Sequence, residues 1–333
     1  MLIINSYPVA VVMLIVTMLC WGSWANTQKL ATQKWPFQLF YWDYTLGILL
    51  LSLVFGLTLG SNGQEGRSFL ADLDQASRAA LGSAFVGGVV FNIANLLLVA
   101  AIDIAGMAVA FPIGIGLALV LGVIINYLAV PVGDPVLLFI GVALVVVAIV
   151  LDALAYRQKP GSTSVTTKGI VISLIAGTLM GFFFRFVAAA TIQNFAEPTP
   201  GLMTPFSAVF VFSVGIFLSN FLWNTIFMYK PISGEKATYR QYFTQGNLRL
   251  HLIGILGGII WCVGMSFSML ASEQAGFAIS YGLGQGATMV AAIWGVFVWK
   301  EFAGASPKTK KLITTMFVFF CVGLALIILA RVI

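Results

Sequence analysis

The sequence predicts an all-α integral membrane protein of about ten transmembrane helices, arranged as two inverted five-helix repeats. Of its 333 residues, 60% are hydrophobic and only 8% are charged, whereas soluble domains carry about 25% charged residues. Apolar runs of about eighteen or more residues, long enough to cross a bilayer, fill most of the chain. A membrane β-barrel is excluded, because its strands alternate apolar and polar residues and give no such runs.

Clusters of proline, glycine and charge divide the apolar runs into ten helices. The predicted helices cover 8–30, 37–59, 79–101, 105–128, 135–156, 168–191, 203–229, 250–272, 275–299 and 311–332. The longest polar breaks, 60–78, 157–167 and 230–249, are too short to form domains. We therefore predict two five-helix units, residues 1–156 and 168–333, joined by a cytoplasmic linker at 157–167.

The distribution of lysine and arginine predicts the orientation in the membrane. Ten helices place both termini on one side, which carries only Arg67, Arg78 and Arg331. The opposite side carries Lys29, Lys34, Arg157, Lys159, Lys168, Lys230, Lys236, Arg240, Arg249, Lys300, Lys308, Lys310 and Lys311. Because short loops rich in Lys and Arg stay in the cytoplasm, we predict a cell-membrane protein with both termini outside. The net charge of +6 then reflects contact with a lipid bilayer, and no nucleic-acid partner is expected.

An internal repeat is found when the chain is shifted against itself by 170 residues. Segment 87–116 then aligns with 257–286 without a gap, and many glycine and alanine positions coincide. Asp103 falls on Glu273, which places an acid at the predicted tight bend between two helices in each half. A unit of five helices is odd in number, so the second half must cross the membrane in the opposite sense. Inverted repeats with a site between them near the midplane are typical of secondary transporters.

Polar and aromatic residues inside the predicted helices are the candidates for binding a solute, because such residues are costly in a bilayer. The candidates for substrate binding are Trp21, Trp24, Asn26, Asn92, Asn95, Trp261, Tyr281 and Gln285. Amides donate and accept hydrogen bonds, which suits an uncharged ligand rich in N–H, C=O or hydroxyl groups. Indole rings stack on planar or sugar ligands while their N–H donates. Hydrogen bonds between helices are the alternative role for Asn92 and Asn95.

Charged residues within the spans or at the bends between them are the candidates for coupling or gating. They are Lys29, Asp43, Asp103, Arg185 and Glu273. Lys29 and Asp43 are expected at similar depth near the cytoplasmic ends of the first two helices. Two interpretations stay open for this pair: a structural ion pair at the membrane boundary, or a gating or proton-carrying role for Asp43.

Arg185 is the only charged residue deep in the sixth predicted helix. Three roles are open to it: binding an anionic group, facing an outer vestibule, or pairing with Asp103 or Glu197. Asp152 and His251, near cytoplasmic helix ends, are interpreted as boundary residues rather than proton relays.

Two stretches combine proline or clustered glycine where a helix crosses the middle of the bilayer, at 111–114 and 281–286. Weakened helices there would free carbonyl groups for a ligand. Phe182, Phe183 and Phe184 are interpreted as a lipid-facing or packing surface. The sequence contains no carboxylate-rich metal cluster and no Ser-His or Cys-His set within the membrane. It therefore predicts neither an enzyme nor a bound cofactor or metal.

Several short segments resemble the drug/metabolite transporter superfamily. The segments are Cys20–Trp24, Tyr41–Tyr44, Gly87–Leu96, Gln274–Gly276 and Trp294–Glu301. Within that superfamily they are most similar to the ureide permease family and to the neighbouring glucose/ribose porters. The resemblance implies proton-coupled uptake of allantoin-like ureides, oxopurines or pyrimidines, and the sugar porters imply a monosaccharide instead.

Two departures limit what this resemblance implies. Plant members have a long cytoplasmic loop where this chain has only residues 157–167, so any regulatory role of that loop does not carry over. The small multidrug exporters of the superfamily use a glutamate in their first helix, and the first helix here has none, which disfavours drug export.

We therefore expect a secondary transporter that works by alternating access on a small neutral polar solute. A ureide or nucleobase is expected ahead of a sugar, with a proton as the coupling ion. A passive channel or facilitator is the alternative from another class, and it would not accumulate its solute against a gradient. Monomer and homodimer are both open.

The predicted orientation is tested by thiol labelling in intact cells. Single cysteines placed in 60–78 and 192–202 should react with impermeant thiol reagents from outside, whereas cysteines in 230–249 should not. The opposite labelling pattern would show that the charge-based orientation is wrong.

Overall fold

The computed structural model describes residues 1–31, 35–63, 65–158 and 166–333. It confirms the all-α membrane fold, with ten helices long and apolar enough to cross a membrane. These helices, numbered α1 to α10, are Tyr7–Leu30, Phe37–Leu57, Arg78–Ala105, Phe111–Ala129, Pro135–Arg157, Thr167–Ala190, Pro205–Tyr229, Leu248–Ala275, Phe277–Val298 and Pro307–Leu329. Over the described ranges the chain forms no β-strand. Lys34, Lys159 and residues 160–165 of the predicted linker lie outside the described residues.

Three of the spans are irregular. α1 is interrupted at Trp24, between the segments Tyr7–Ser23 and Ala25–Leu30. α4 opens with a π-helical turn, Phe111–Ile115, that contains a proline, a residue unable to donate a backbone hydrogen bond. α9 is broken after Phe277–Gly284, at the clustered glycines, and ends in a second π-helical turn, Trp294–Val298. The stretches expected to weaken helices therefore coincide with irregular backbone.

The two halves share local structure at the 170-residue shift. The seven-residue helices Phe69–Gln75 and Tyr239–Gln245 precede α3 and α8, which are each 28 residues long. Both long helices end at a glycine with positive φ, 73° at Gly106 and 80° at Gly276. They run further than the predicted 79–101 and 250–272. Asp103 therefore lies in the last turn of its helix rather than at the bend, and its repeat partner does the same.

Close helix contacts follow the same repeat. A Cβ on Gly258 of α8 would overlap the carbonyl oxygen of Tyr44 in α2. A Cβ on Gly88 of α3 would overlap the carbonyl oxygen of Phe212 in α7. Because only glycine lets two backbones approach this closely, both helix pairs depend on it. The division into two units and their inverted relation stay predictions.

The connections between helices collect at two ends of the bundle. We call the end with connections 31–36, 158–166, 230–247 and 299–306 the basic side, and the end with both termini the terminal side. The terminal side is packed around a buried apolar cluster. This terminal cluster consists of Met1, Ile4, Ile192, Phe195, Phe206 and Leu270. Which side faces the cytoplasm stays a prediction.

Candidate functional site

A cavity of about 350 Å³ lies among the helices at the level of Trp21 in α1 and Trp261 in α8. Its walls come from α1, α3, α4, α6, α8 and α9, with one residue from the start of α2. This volume falls within the range of roughly 300–1,000 Å³ for small-ligand sites. It corresponds to about ten water molecules, so the central cavity is sized for a small solute.

A second cavity, of about 600 Å³, leads from the central cavity to the basic side. The two cavities share Gln28, Phe37, Val99 and Asp103 as lining residues. We call this second cavity the vestibule. Toward the opposite end the bundle is packed by the terminal cluster. The central cavity therefore communicates with the basic side, and the structure is open on that side.

Aromatic rings form one wall of the central cavity. The indoles of Trp21 and Trp261 are stacked, with ring centroids 5.8 Å apart and an angle of 14° between their planes. Phe91 lies 4.5 Å from Trp261 and 5.0 Å from Phe183, centroid to centroid. This wall presents ring faces and edges to a planar or C–H-rich ligand.

Amide and hydroxyl groups complete the lining. Nδ2 of Asn95 donates to the Tyr41 hydroxyl at 3.3 Å, while its Oδ1 makes no hydrogen bond to the described residues. Gln285 and Gln28 also line the cavity, and Thr288 donates from its hydroxyl to the Gln285 carbonyl at 3.0 Å. Amides supply both donors and acceptors, so the lining can satisfy a ligand that carries N–H and C=O groups.

The only charged side chain among the described residues that line the central cavity is Asp103, at its mouth. The vestibule adds a second acid, Glu235. Negative charge at the mouth repels anions, so this geometry favours a neutral or cationic solute.

A second polar group lies beside the vestibule, between α2, α8 and the short helix Tyr239–Gln245. Nδ1 of His251 is 2.9 Å and 3.0 Å from the two carboxylate oxygens of Asp43, which is 2% exposed. The Tyr242 hydroxyl donates to Oδ1 of Asp43. Burial and this carboxylate raise the pKa of Tyr242 above its ordinary range, so it stays a donor at neutral pH. Trp35, which lines the vestibule, contacts His251 edge to face at 5.8 Å.

The sequence model of the ureide permease family matches residues 40–162 and 159–330. The chain belongs to the ureide permease family. The two matched ranges overlap at 159–162, within the predicted linker, and the resemblance seen in the sequence is confirmed.

Individual relatives agree with this assignment. Ureide permease 1 of Arabidopsis thaliana is 23% identical over 98% of each chain. The glucose uptake protein GlcU of Bacillus subtilis is 26% identical over 74% of this chain and 75% of that protein. A protein of known crystal structure shares the fold, with a TM-score of 0.61 at 15% identity over 98% of this chain and 99% of the other. The protein is thus a multi-pass membrane permease for a small-molecule substrate, and its relatives are transporters rather than enzymes.

Six of the predicted residues meet at the central cavity of this permease. They are Trp21, Trp24, Asn95, Asp103, Trp261 and Gln285. Phe111 and Gly114, from the π-helical turn of α4, also line it. The irregular backbone expected at 111–114 therefore lies at the cavity. The substrate-binding role of these side chains stays a prediction.

Two predicted asparagines face other helices instead. Nδ2 of Asn92 donates to the Ile216 carbonyl at 3.2 Å and to the Ser219 hydroxyl at 2.9 Å, both in α7. Asn26 accepts from Nε1 of Trp299 at 2.7 Å, next to the end of α9. Neither lines the central cavity, so the expectation that they contact the solute there needs correction. Asn92 makes the interhelical hydrogen bond that was the alternative.

Tyr281 is also placed away from the cavity. It is completely buried, and its hydroxyl donates to the Ala118 carbonyl at 3.2 Å and to the Met180 carbonyl at 3.1 Å. These bonds join α9 to α4 and α6. Tyr281 therefore supports the cavity rather than lining it, which again differs from the expectation.

The expected pair of Lys29 and Asp43 is not formed. Nζ of Lys29 is 3.1 Å from Oε1 of Glu301 and 4.8 Å from the centroid of the Trp299 ring, because the end of α1 faces α9. Asp43 faces α8 and pairs with His251, the only histidine in the sequence. His251, interpreted as a boundary residue, is thus the partner of the candidate coupling acid.

The remaining charged candidates lie at separate places. Arg185 is half-buried in α6, and it makes no ion pair with Asp103, Glu197 or another acid of the described ranges. Oδ2 of Asp103 accepts a hydrogen bond from the Ser233 hydroxyl at 3.2 Å. Glu273 lies at the terminal side, where Oε1 accepts from the Phe195 backbone N–H at 2.6 Å.

The sequence interpretation missed part of the aromatic wall. Phe183, taken for lipid-facing or packing surface, is 2% exposed and lines the cavity, whereas its neighbour Phe182 is 40% exposed. Phe91 was not singled out at all. It precedes Asn95 by four residues and so lies on the same helix face, which is the signal that could have identified it.

The cavity lining is tested by replacing its amides with leucine. Asn95→Leu and Gln285→Leu should each weaken ligand binding about tenfold, since a ligand N–H or C=O would lose its partner. The measurement is the rise in melting temperature of the purified protein with a panel of ureides, nucleobases, nucleosides and sugars.

Asn92→Leu is the matched control, because Asn92 bonds to α7 instead of lining the cavity. It should lower the melting temperature without ligand but keep the ligand-induced rise. If both cavity variants keep the full ligand response, the polar lining is misassigned.

Proposed function

We propose that this permease is a proton-coupled secondary transporter of a small neutral polar solute, a ureide, oxopurine or nucleobase, and that it works by alternating access. The observation that carries the proposal is the central cavity, which combines an aromatic wall with amide groups and opens to the basic side, while the terminal cluster fills the opposite end. Membership of the ureide permease family supports the substrate class.

The chemistry of the cavity suits a flat molecule that carries several N–H and C=O groups. Such a solute can stack on the Trp21 and Trp261 wall while Asn95 and Gln285 replace its hydration shell. The negative charge of Asp103 at the mouth does not repel a neutral solute. The size of the cavity, about 350 Å³, leaves room for one small heterocycle with a few waters.

Alternating access is supported by the contrast between the two sides. The vestibule connects the central cavity to the basic side, while the terminal cluster fills the opposite end. A continuous pore would need both ends open together. The matched glycine contacts of α2 with α8 and of α7 with α3 allow the halves to exchange conformations, as in other transporters built from inverted repeats.

Proton coupling is assigned to Asp43 with His251. A carboxylate and an imidazole 2.9 Å apart can hold one proton between them. α2 connects this pair to the substrate site, because Tyr41 and Tyr44 flank Asp43 in the sequence. Tyr41 bonds to Asn95, and the Tyr44 ring lies 4.6 Å from that of Trp24. A shift of α2 on protonation would therefore reach two cavity residues.

A monosaccharide is the second candidate substrate. The similarity to the glucose uptake protein GlcU favours it, and aromatic rings beside amides also suit a sugar. The ligand panel separates the two candidates.

With both termini proposed outside, the basic side, to which the central cavity opens, faces the cytoplasm.

Coupling is tested with Asp43→Asn, which mimics the protonated acid. In proteoliposomes the variant should still exchange radiolabelled allantoin between equal pools but lose accumulation driven by a pH gradient. Uracil and glucose are measured in parallel, so that the result does not depend on one substrate.

Asp152→Asn is the matched control, since it also neutralises a buried acid of a span but lies in α5, away from both cavities. It should retain accumulation. If Asp43→Asn still concentrates substrate in response to the proton gradient, Asp43 is not the coupling site. If the unmodified protein equilibrates every substrate without accumulating any, it is a passive facilitator.

A further inference from the structure

Glu273 is part of the closed terminal side. Its Oε1 accepts the backbone N–H of Phe195 at 2.6 Å, and Phe195 is a fully buried member of the terminal cluster. The bond therefore joins the end of α8 to the connection between α6 and α7. A hydrogen bond to a carboxylate is stronger than one between neutral groups, so this contact favours closure.

Asp103 occupies the repeat-related position on the open basic side. It lies in the last turn of α3, as Glu273 does in α8, and it is exposed. Oδ2 of Asp103 is bonded only to the Ser233 hydroxyl, at 3.2 Å, among the described residues. The start of α2, at Trp35 and Phe37, lines the same vestibule. At the start of α2 the N–H groups of Leu39 and Phe40 donate to the Pro36 carbonyl, whereas those of Phe37 and Gln38 have no acceptor within the helix and are free to bind a carboxylate.

Three polar atoms on the closed side would gain hydrogen bonds to water if that side opened. The hydroxyls of Ser268 and Ser280 and Oε2 of Glu273 are buried without a hydrogen-bond partner in the described part of the chain. Each such group loses its hydrogen bonds to water without gaining one in the protein. A state in which the terminal side is hydrated would satisfy all three.

The repeat gives these buried residues counterparts in the open pathway. Ser268 and Met269 correspond at the 170-residue shift to Leu98 and Val99, which line the central cavity. Val99 also lines the vestibule, whereas Met269 is completely buried. The same positions of α3 and α8 are therefore accessible in one half and closed in the other.

We propose that Asp103 and Glu273 are reciprocal latches of the two sides. Glu273 holds the terminal side closed while the basic side is open, as in this structure. When the terminal side opens, Glu273 releases the Phe195 N–H, and Asp103 closes the basic side by accepting a backbone N–H from the start of α2. The acid at the end of each long helix thus acts as a gating residue, and its contact alternates with that of its repeat partner.

This inference rests on alternating access as proposed above, but it requires neither the proton site nor a known substrate. It predicts opposite effects for two chemically similar substitutions. Glu273→Gln weakens terminal closure and shifts the protein toward the terminal-open state. Asp103→Asn weakens closure of the basic side and shifts it further toward the state described here.

The shift is measured with single-cysteine reporters at the repeat-related positions, Val99→Cys and Met269→Cys. The native Cys20, Cys262 and Cys321 are replaced by alanine, and the purified protein is labelled in detergent with a polar maleimide, so that orientation plays no part. Glu273→Gln should raise the labelling rate at position 269 about tenfold and lower it at position 99. Asp103→Asn should lower the rate at position 269 and raise or preserve it at position 99.

Glu235→Gln is the matched control, because it removes one negative charge from the same vestibule but lies in a connection rather than at a helix end. It should leave both rates within about twofold of the parent. Glu273→Asp should restore low labelling at position 269, and melting temperatures show that each variant is folded.

Two outcomes would overturn the proposal in distinguishable ways. If Glu273→Gln exposes position 269 but Asp103→Asn behaves like Glu235→Gln, Glu273 acts as a latch without a reciprocal partner. If position 269 reacts in no variant that is folded, the terminal side does not open, and alternating access fails together with the latch.

Discussion

The close contact between α2 and α8 positions the rest of the site. Gly258 lets the two backbones meet at Tyr44, and the preceding residue, Asp43, packs against the first turn of α8, which contains His251. The opposite face of α2 is thereby brought to the cavity, where it supports Asn95. One helix therefore touches both the candidate proton site and the candidate solute site. A larger residue at position 258 would separate the two sites from each other.

The bilayer explains why the polar residues of this chain are so informative. Hydrocarbon offers no hydrogen bonds, so a polar side chain within a span is stable only against another helix or in a hydrated cavity. Asn92 illustrates the first case, since α7 supplies its partners. Gln285 illustrates the second, since it lines the central cavity. The hydroxyl of Ser268 fits neither case, since it is buried without a hydrogen-bond partner among the described residues.

The ten spans could be predicted from the sequence, because length and apolar composition dictate membrane spans, and the glycines that coincide at the 170-residue shift include two at close helix contacts. The rotation of a helix about its axis could not be predicted in the same way. Asn92 and Asn95 are three residues apart, yet one faces α7 and the other the cavity. The ion-pair partners could not be predicted either, since Asp43 and His251 are 208 residues apart in the sequence and Lys29 and Glu301 are 272 apart. Such pairings depend on the tertiary fold rather than on spacing.

The proposed function requires that solute and proton cross the membrane together, in a fixed ratio. Proteoliposomes loaded with a pH-sensitive dye, at zero initial pH gradient and zero membrane potential, test it most directly. Addition of allantoin outside should acidify the lumen in step with allantoin uptake, in a fixed ratio at different solute concentrations. Uptake of allantoin, uracil or glucose without any change of luminal pH would contradict the account.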